Sequence, residues 1–275
     1  MSRVKRPADG LLRSPAMSST PEALWTDPAV RRLRPAAVLV RGLRHAGQLL
    51  DLDFVVPVGW RLLVVSQPEE AARDLLRVLA GLARPSAGNV WLAGLDPAAS
   101  QRAGGLVSYV GPQAGLYTWM TPREALALSA RLTAQAAERI DGTLARYGLA
   151  GVAETPMRRL GASVAQRVAL AAAVLTDPEI LLLDDPLSAI DVDERLYLLS
   201  ADDRRRTMLM ASRFPSREAG VCDHLCFVKD GRVALLAPMS ALADEGLPLS
   251  RKGIEALVER REGSRPAAMA AASTE

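Results

Sequence analysis

Ile180-Leu181-Leu182-Leu183 runs without a polar residue into Asp184-Asp185-Pro186. An apolar run of this length, closed by a charge pair and a proline, reads as a strand buried on both faces. The chain is therefore expected to build an α/β core. The two aspartates fall at the carboxyl end of that strand, where open α/β sheets keep their ligand crevice. The stretch continues through Leu187-Ser188-Ala189-Ile190-Asp191.

The rest of the chain supplies elements of both kinds. Alternation at 37–41 and 50–56 predicts strands of a partly exposed sheet, with a turn at Pro57-Val58-Gly59. Leu62-Leu63-Val64-Val65 reads as another buried strand. Pro68 is expected to start a helix ending near Gly81, with Leu75, Leu76, Val78 and Leu79 on its apolar face. Strands follow at 90–92 and 106–110. Residues 122–132, 134–147 and 162–176 read as a helical block. After the 180–184 strand come a helix from about Val192, a strand at 208–210 and strands at 225–228 and 233–235. Lys229-Asp230-Gly231-Arg232 is a hairpin turn between the last two. The pattern is a core sheet with helices inserted between its strands.

Charge is unevenly placed. Residues 1–35 hold seven Lys/Arg against three Asp/Glu, whereas the remaining 240 hold 27 against 28. The basicity belongs to the tail, which is rich in Arg, Pro, Ser and Ala and expected to be disordered. A core of near-neutral charge argues against nucleic acid as a partner. Cys222 and Cys226, with His45 and His224 as the only histidines, make neither a disulfide framework nor a zinc site; both cysteines read as core residues of a reducing compartment. Apolar runs such as 168–175 reach about half the length that spans a bilayer. No signal peptide is expected, so a membrane role has to work through a partner.

Several segments, in order, resemble the ATP-binding cassette of ABC transporters over roughly residues 36–245. The 180–191 stretch resembles the Walker B and D-loop segment. Leu79-Ala80-Gly81-Leu82 with Pro85 and Gly88 is similar to the turn after the P-loop helix. Tyr109-Val110-Gly111-Pro112-Gln113 resembles the Q-loop, with Gln113 in the glutamine position. The 166–171 helix with Thr176-Asp177-Pro178-Glu179 resembles the signature helix and its exit, and 221–233 the segment after the H-loop. The resemblance implies a P-loop NTPase-like α/β cassette: a mixed or antiparallel N-terminal sheet, a parallel core sheet and a helical subdomain at about 114–176. The domain reading is a basic tail at 1–35, the cassette at 36–245, and a C-terminal helix with a loose tail at 246–275, loosening from about 263.

The phosphate-handling positions depart from the family. A P-loop reads G-x-x-x-x-G-K-[ST]: backbone N–H groups wrap the phosphates, Lys neutralises them and the hydroxyl holds Mg²⁺. Here the strand-to-helix position reads Ser66-Gln67-Pro68-Glu69-Glu70-Ala71-Ala72-Arg73. Ala72 stands at the lysine and Arg73 at the Mg²⁺ hydroxyl, and no glycine remains. Glu69 and Glu70 would repel a triphosphate, while suiting the helix dipole that otherwise attracts one. The signature segment reads Leu160-Gly161-Ala162-Ser163-Val164, without its glutamine. The H-loop histidine falls at Arg213, and the adenine-stacking aromatic near His45-Ala46.

The resemblance still assigns roles. Asp184 matches the aspartate that orients Mg²⁺, and Asp185 the general-base position, normally glutamate. Gln113, Ser66, Arg73 and Asp191 are the candidate nucleotide-contacting positions; Ser188 and Asp191 match the D-loop. A strand-end aspartate also caps turns with no ligand at all. The expected cofactor is none, or weakly held ATP/Mg²⁺. The expected function is that of a degenerate ABC transporter ATP-binding subunit, non-hydrolytic, peripheral to the inner face of the cell membrane. It would dock on a membrane permease, or pair as a heterodimer with an intact cassette, to support assembly or regulation. The 114–121 segment, with Tyr117, Trp119 and Met120, is the candidate contact surface, unless these side chains pack on the inserted helices. An active ATPase with an unusual nucleotide site, and a soluble interaction module without a permease, are the alternatives.

Overall fold

Two sheets carry the chain, and the side-chain alternation along the strands divides its interior into two cores. The computed structural model describes residues 36–102, 105–133, 137–186, 190, 206–245 and 249–271. In chain order the strands are β1 (Ala36–His45), β2 (Leu49–Pro57), β3 (Arg61–Gln67), β4 (Ala87–Leu92), β5 (Val107–Val110), β6 (Ile180–Asp184), β7 (Thr207–Ala211), β8 (His224–Lys229) and β9 (Arg232–Pro238). The α-helices are α1 (Glu70–Leu79), α2 (Pro97–Arg102), α3 (Pro122–Leu132), α4 (Ile140–Arg146), α5 (Ala162–Leu175), α6 (Pro215–Glu218), α7 (Met239–Asp244) and α8 (Arg251–Ala271).

Among the described residues the first sheet is antiparallel in the order β2-β1-β4. The second runs β5-β6-β7-β3-β8-β9, parallel except for β9. Strand β2 keeps the expected alternation: Leu52, Phe54 and Val56 point inward, and Asp51, Asp53 and Val55 do not. Strands β3 and β6 are buried on both faces, so successive residues feed different cores. Leu62, Val64, Ile180 and Leu182 join α1 and the antiparallel sheet. Leu63, Val65, Leu181 and Leu183 join the helical block and α8. Each such side chain, taken fully out of water, is worth about 1.5–3 kcal/mol.

Local chemistry sets the helix ends. Thr121 and Glu124 form a reciprocal capping box at α3, with Pro122 behind the cap. Helix α1 ends where Gly81, at φ +70°, reverses the chain, and Leu82 N–H bonds back to Arg77 O at 2.9 Å. Two expectations are corrected. Helix α1 begins at Glu70 rather than Pro68, because Pro68 and Glu69 form a turn closed by Ser66. The 134–147 helix is a short 3₁₀ turn at Ala137–Arg139 followed by α4. The C-terminal helix, α8, spans Arg251–Ala271, which leaves the expected looseness from about 263 untested. The 1–35 tail and the helix expected from Val192 lie outside the described residues, as do Ser188 and Asp191. No helix among the described residues is long and apolar enough to cross a membrane.

Candidate functional site

Because β3, β5, β6 and β7 are parallel, their carboxyl ends share one edge of the sheet. That edge gathers Ser66, Tyr109, Asp184, Asp185 and Arg213, with Arg73 on the second turn of α1.

The turn after β3 is closed by its own side chain. Ser66 is buried; its Oγ donates to Pro68 O at 2.7 Å and accepts from Ala72 N–H at 2.9 Å. A hydroxyl spent this way ties the turn to the first residues of α1. Ala72 is buried, so a methyl group fills the position the resemblance gives to lysine.

Arg73 Nε faces both oxygens of Asp184, at 3.1 and 3.4 Å. The Arg73 side chain is 41% exposed and that of Asp184 only 3%. Tyr109 O–H donates to Asp184 Oδ2 at 3.0 Å from β5. Burial raises the Asp184 carboxyl above its usual range; the Arg73 charge and the Tyr109 bond offset part of this. Burial, and then the Asp184 charge, push the Tyr109 phenol up as well, so it stays protonated and donating.

Asp185 sits in the left-handed region at φ +47°, a conformation that Asp and Asn tolerate better than most residues. Its N–H bonds to Ala211 O at 2.9 Å. Arg213 Nη2 and Nε both donate to Asp185 Oδ2, at 2.7 and 2.9 Å. That hydrogen bond and the carboxylate charge hold the guanidinium above its ordinary value. Ser212 orders the exit of β7: its Oγ donates to the buried Glu218 at 2.6 Å and accepts from Phe214 N–H.

The remaining candidates lie elsewhere. Gln113 is exposed on the loop past β5. The carbonyl of Gly111 beside it accepts from the buried Gln166 of α5, which fastens the signature-like helix to the Q-like loop. His45 is half-buried and bonded through Nδ1 to Arg84 O. Tyr117 and Trp119 are 59% and 60% exposed, their ring centroids 5.6 Å apart, so they do not pack into the helical block.

A metal–triphosphate needs a hydroxyl and an aspartate for the cation, and a lysine with free N–H groups for the phosphates. Here the aspartate already holds a guanidinium. A divalent ion placed about 4 Å from Arg73 would be repelled by about 2 kcal/mol in water and about 8 kcal/mol at an effective dielectric near 20. The residues present do not fit that group. The ion pairs escaped sequence reasoning, which set Arg73 toward nucleotide and took Arg213 only as the position of a missing histidine; the structure turns Arg73 onto Asp184 and Arg213 onto Asp185 instead. The available signal was that arginines stand at two positions to which the resemblance gives ligand-handling residues, beside two aspartates.

The ABC transporter family model matches residues 74–188, beginning just after the altered loop. The thiamine import ATP-binding protein ThiQ of Haemophilus influenzae is 30% identical over 193 residues, covering 67% of this chain and 90% of that protein. The aliphatic sulfonates import ATP-binding protein SsuB of Pseudomonas putida is 32% identical over 216 residues, covering 74% and 77%. Among solved structures, the ATP-binding subunit of an ABC transporter superposes with a TM-score of 0.71 at 18% identity, over 81% of this chain and 99% of that one. The cbiO1 subunit of Clostridium perfringens gives 0.66 at 18% identity, over 85% and 98%. On this similarity the chain belongs to the ABC transporter family, as a member of its ATP-binding cassettes.

Proposed function

We propose that this chain is an ATP-binding-type subunit of an import system that no longer hydrolyses ATP and serves as a docking or regulatory component. The observation that carries the reading is the pairing of Arg73 with Asp184 and Arg213 with Asp185. The carboxylate in the metal position and the one in the base position are both occupied by cations of the chain itself. The closed Ser66 turn and the buried Ala72 support the same reading, since both deny contacts to phosphate.

Relatives named as import ATP-binding proteins support a place beside a membrane permease on the cytoplasmic side. The exposed Tyr117–Trp119 pair supports a contact surface there, aromatic side chains being favoured at interface centres. Pairing with an intact cassette would supply the hydrolysis that this chain lacks.

Purified chain is expected to bind no Mg·ATP by calorimetry and to release no phosphate, alone or with its membrane partner reconstituted. Micromolar, Mg²⁺-dependent ATP binding, or hydrolysis abolished by Asp185→Ala, would overturn the reading.

A further inference from the structure

We propose that Arg73 has taken over the bridging task of a metal ion, tying α1 to the end of β6 through Asp184 whether or not nucleotide is present. The proposal rests on the non-hydrolytic reading above and says how such a site keeps its shape.

In a P-loop site the cation sits between a hydroxyl near the start of the helix and the aspartate at the end of the facing strand. It links elements that are not neighbours in the sheet; here β7 lies between β3 and β6. Arg73 occupies the hydroxyl's place in the sequence and delivers a positive charge to the same aspartate, 111 residues away. Tyr109 adds β5 to that carboxylate. Helix α1 and strands β5 and β6 thus meet at one anion without a ligand.

Two further pairs extend the arrangement. Arg213 grips Asp185 from the exit of β7. Arg251, on the first turn of α8, donates to Glu69 at 2.7 Å, in the turn before α1. Helix α8 is anchored by the buried Ile254, Leu257 and Val258. The Glu69 charge also favours the cationic form of Arg213. Three arginine–carboxylate pairs thus lie at this edge.

The chemistry separates this from a metal site. A divalent ion is not covalently part of the chain and can dissociate together with a bound nucleotide. A guanidinium on its own backbone does not leave, and here its Nε alone faces both Asp184 oxygens, at 3.1 and 3.4 Å. The α1–β6 spacing is then constant.

The full chain tests this through Arg73→Ser, which returns a hydroxyl beside Asp184. Its unfolding midpoint is expected to fall by about 5 °C, since a buried carboxylate loses its partner. Adding Asp184→Asn is expected to recover most of that loss. Excess Mg²⁺ at matched ionic strength is expected to raise the midpoint of Arg73→Ser and leave wild type unchanged. An unchanged midpoint in Arg73→Ser, a loss that Asp184→Asn does not recover, or a metal response in wild type or in neither chain would each overturn the proposal. If Arg73→Ser does not fold, the double variant alone decides: folding supports the bridge, failure overturns it. Mg·ATP titration of wild type separates the two readings. Phosphate release there overturns the non-hydrolytic reading, whereas none, with Arg73 and Asp184 uncoupled, overturns the bridge alone.

Discussion

Arg213→Ala exposes how much the second ion pair contributes. The Asp185 side chain is 5% exposed and that of Arg213 49%, with a shortest N–O distance of 2.7 Å. Unit charges about 4 Å apart interact by about 1 kcal/mol in water and about 4 kcal/mol at an effective dielectric near 20. With one partner half in solvent, the appropriate figure lies between these, at about 2 kcal/mol. Removing the arginine leaves a buried carboxylate unpaired, which is the costly way to break such a pair. The Phe214 ring, 6.0 Å from the guanidinium, adds little at that separation. A loss of about 2 kcal/mol in a chain of this size lowers the melting midpoint by about 4–8 °C. Scanning fluorimetry on the purified full chain measures it, with the exposed Arg232→Ala as control. Asp185→Asn in the Arg213→Ala background is expected to return most of the loss, because Asn keeps the left-handed backbone and carries no charge. A midpoint no lower than that of the control, or no recovery in the double variant, refutes the reasoning.

Four other outcomes are expected. Burial pushes the Cys226 thiol from 9.0 up to about 12 and the Cys222 thiol higher still, so iodoacetamide near pH 8 should label neither until denaturant is added. The sign also follows: a raised folded value favours the native state below the free-thiol value, and that contribution is lost as pH climbs past 9.0, so urea midpoints should fall on the alkaline side. Gly88 lies at φ +82°, and a Cβ there would stand 2.3 Å from Gly42 O, so Gly88→Ala should cost more than about 2 kcal/mol in a urea titration and loosen the β1–β4 pairing. Trp119→Ala removes an exposed ring, so its midpoint should stay within about 1–2 °C of wild type while recovery with the membrane fraction drops at least several-fold.

Most of the architecture could be read from short-range pattern. The apolar run at 180–183 has no solvent-tolerant residue, so a doubly buried strand was the one economical reading, and β6 is that strand. Capping at Thr121-Pro122-Glu124 and the stop at Gly81 are equally local, because they depend on groups a few residues apart. The absence of a G-x-x-x-x-G-K-[ST] pattern at 66–73 is also local, since that motif is contiguous. Local reasoning failed where neighbours in space are remote in sequence. Pro68 suggested a helix start, but Ser66 turned it into the turn ahead of one. Arg73 read as a nucleotide contact and Arg213 as a missing histidine, yet each lies on a carboxylate 111 or 28 residues away. Those pairings depend on β7 lying between β3 and β6 with matched register, and on Tyr109 arriving from β5. Hydrophobic periodicity says which face of a strand is buried and nothing about which strand stands beside it. The frame of the site was therefore written in the residues themselves, and the neutralisation of its two aspartates arose from how the sheet was assembled.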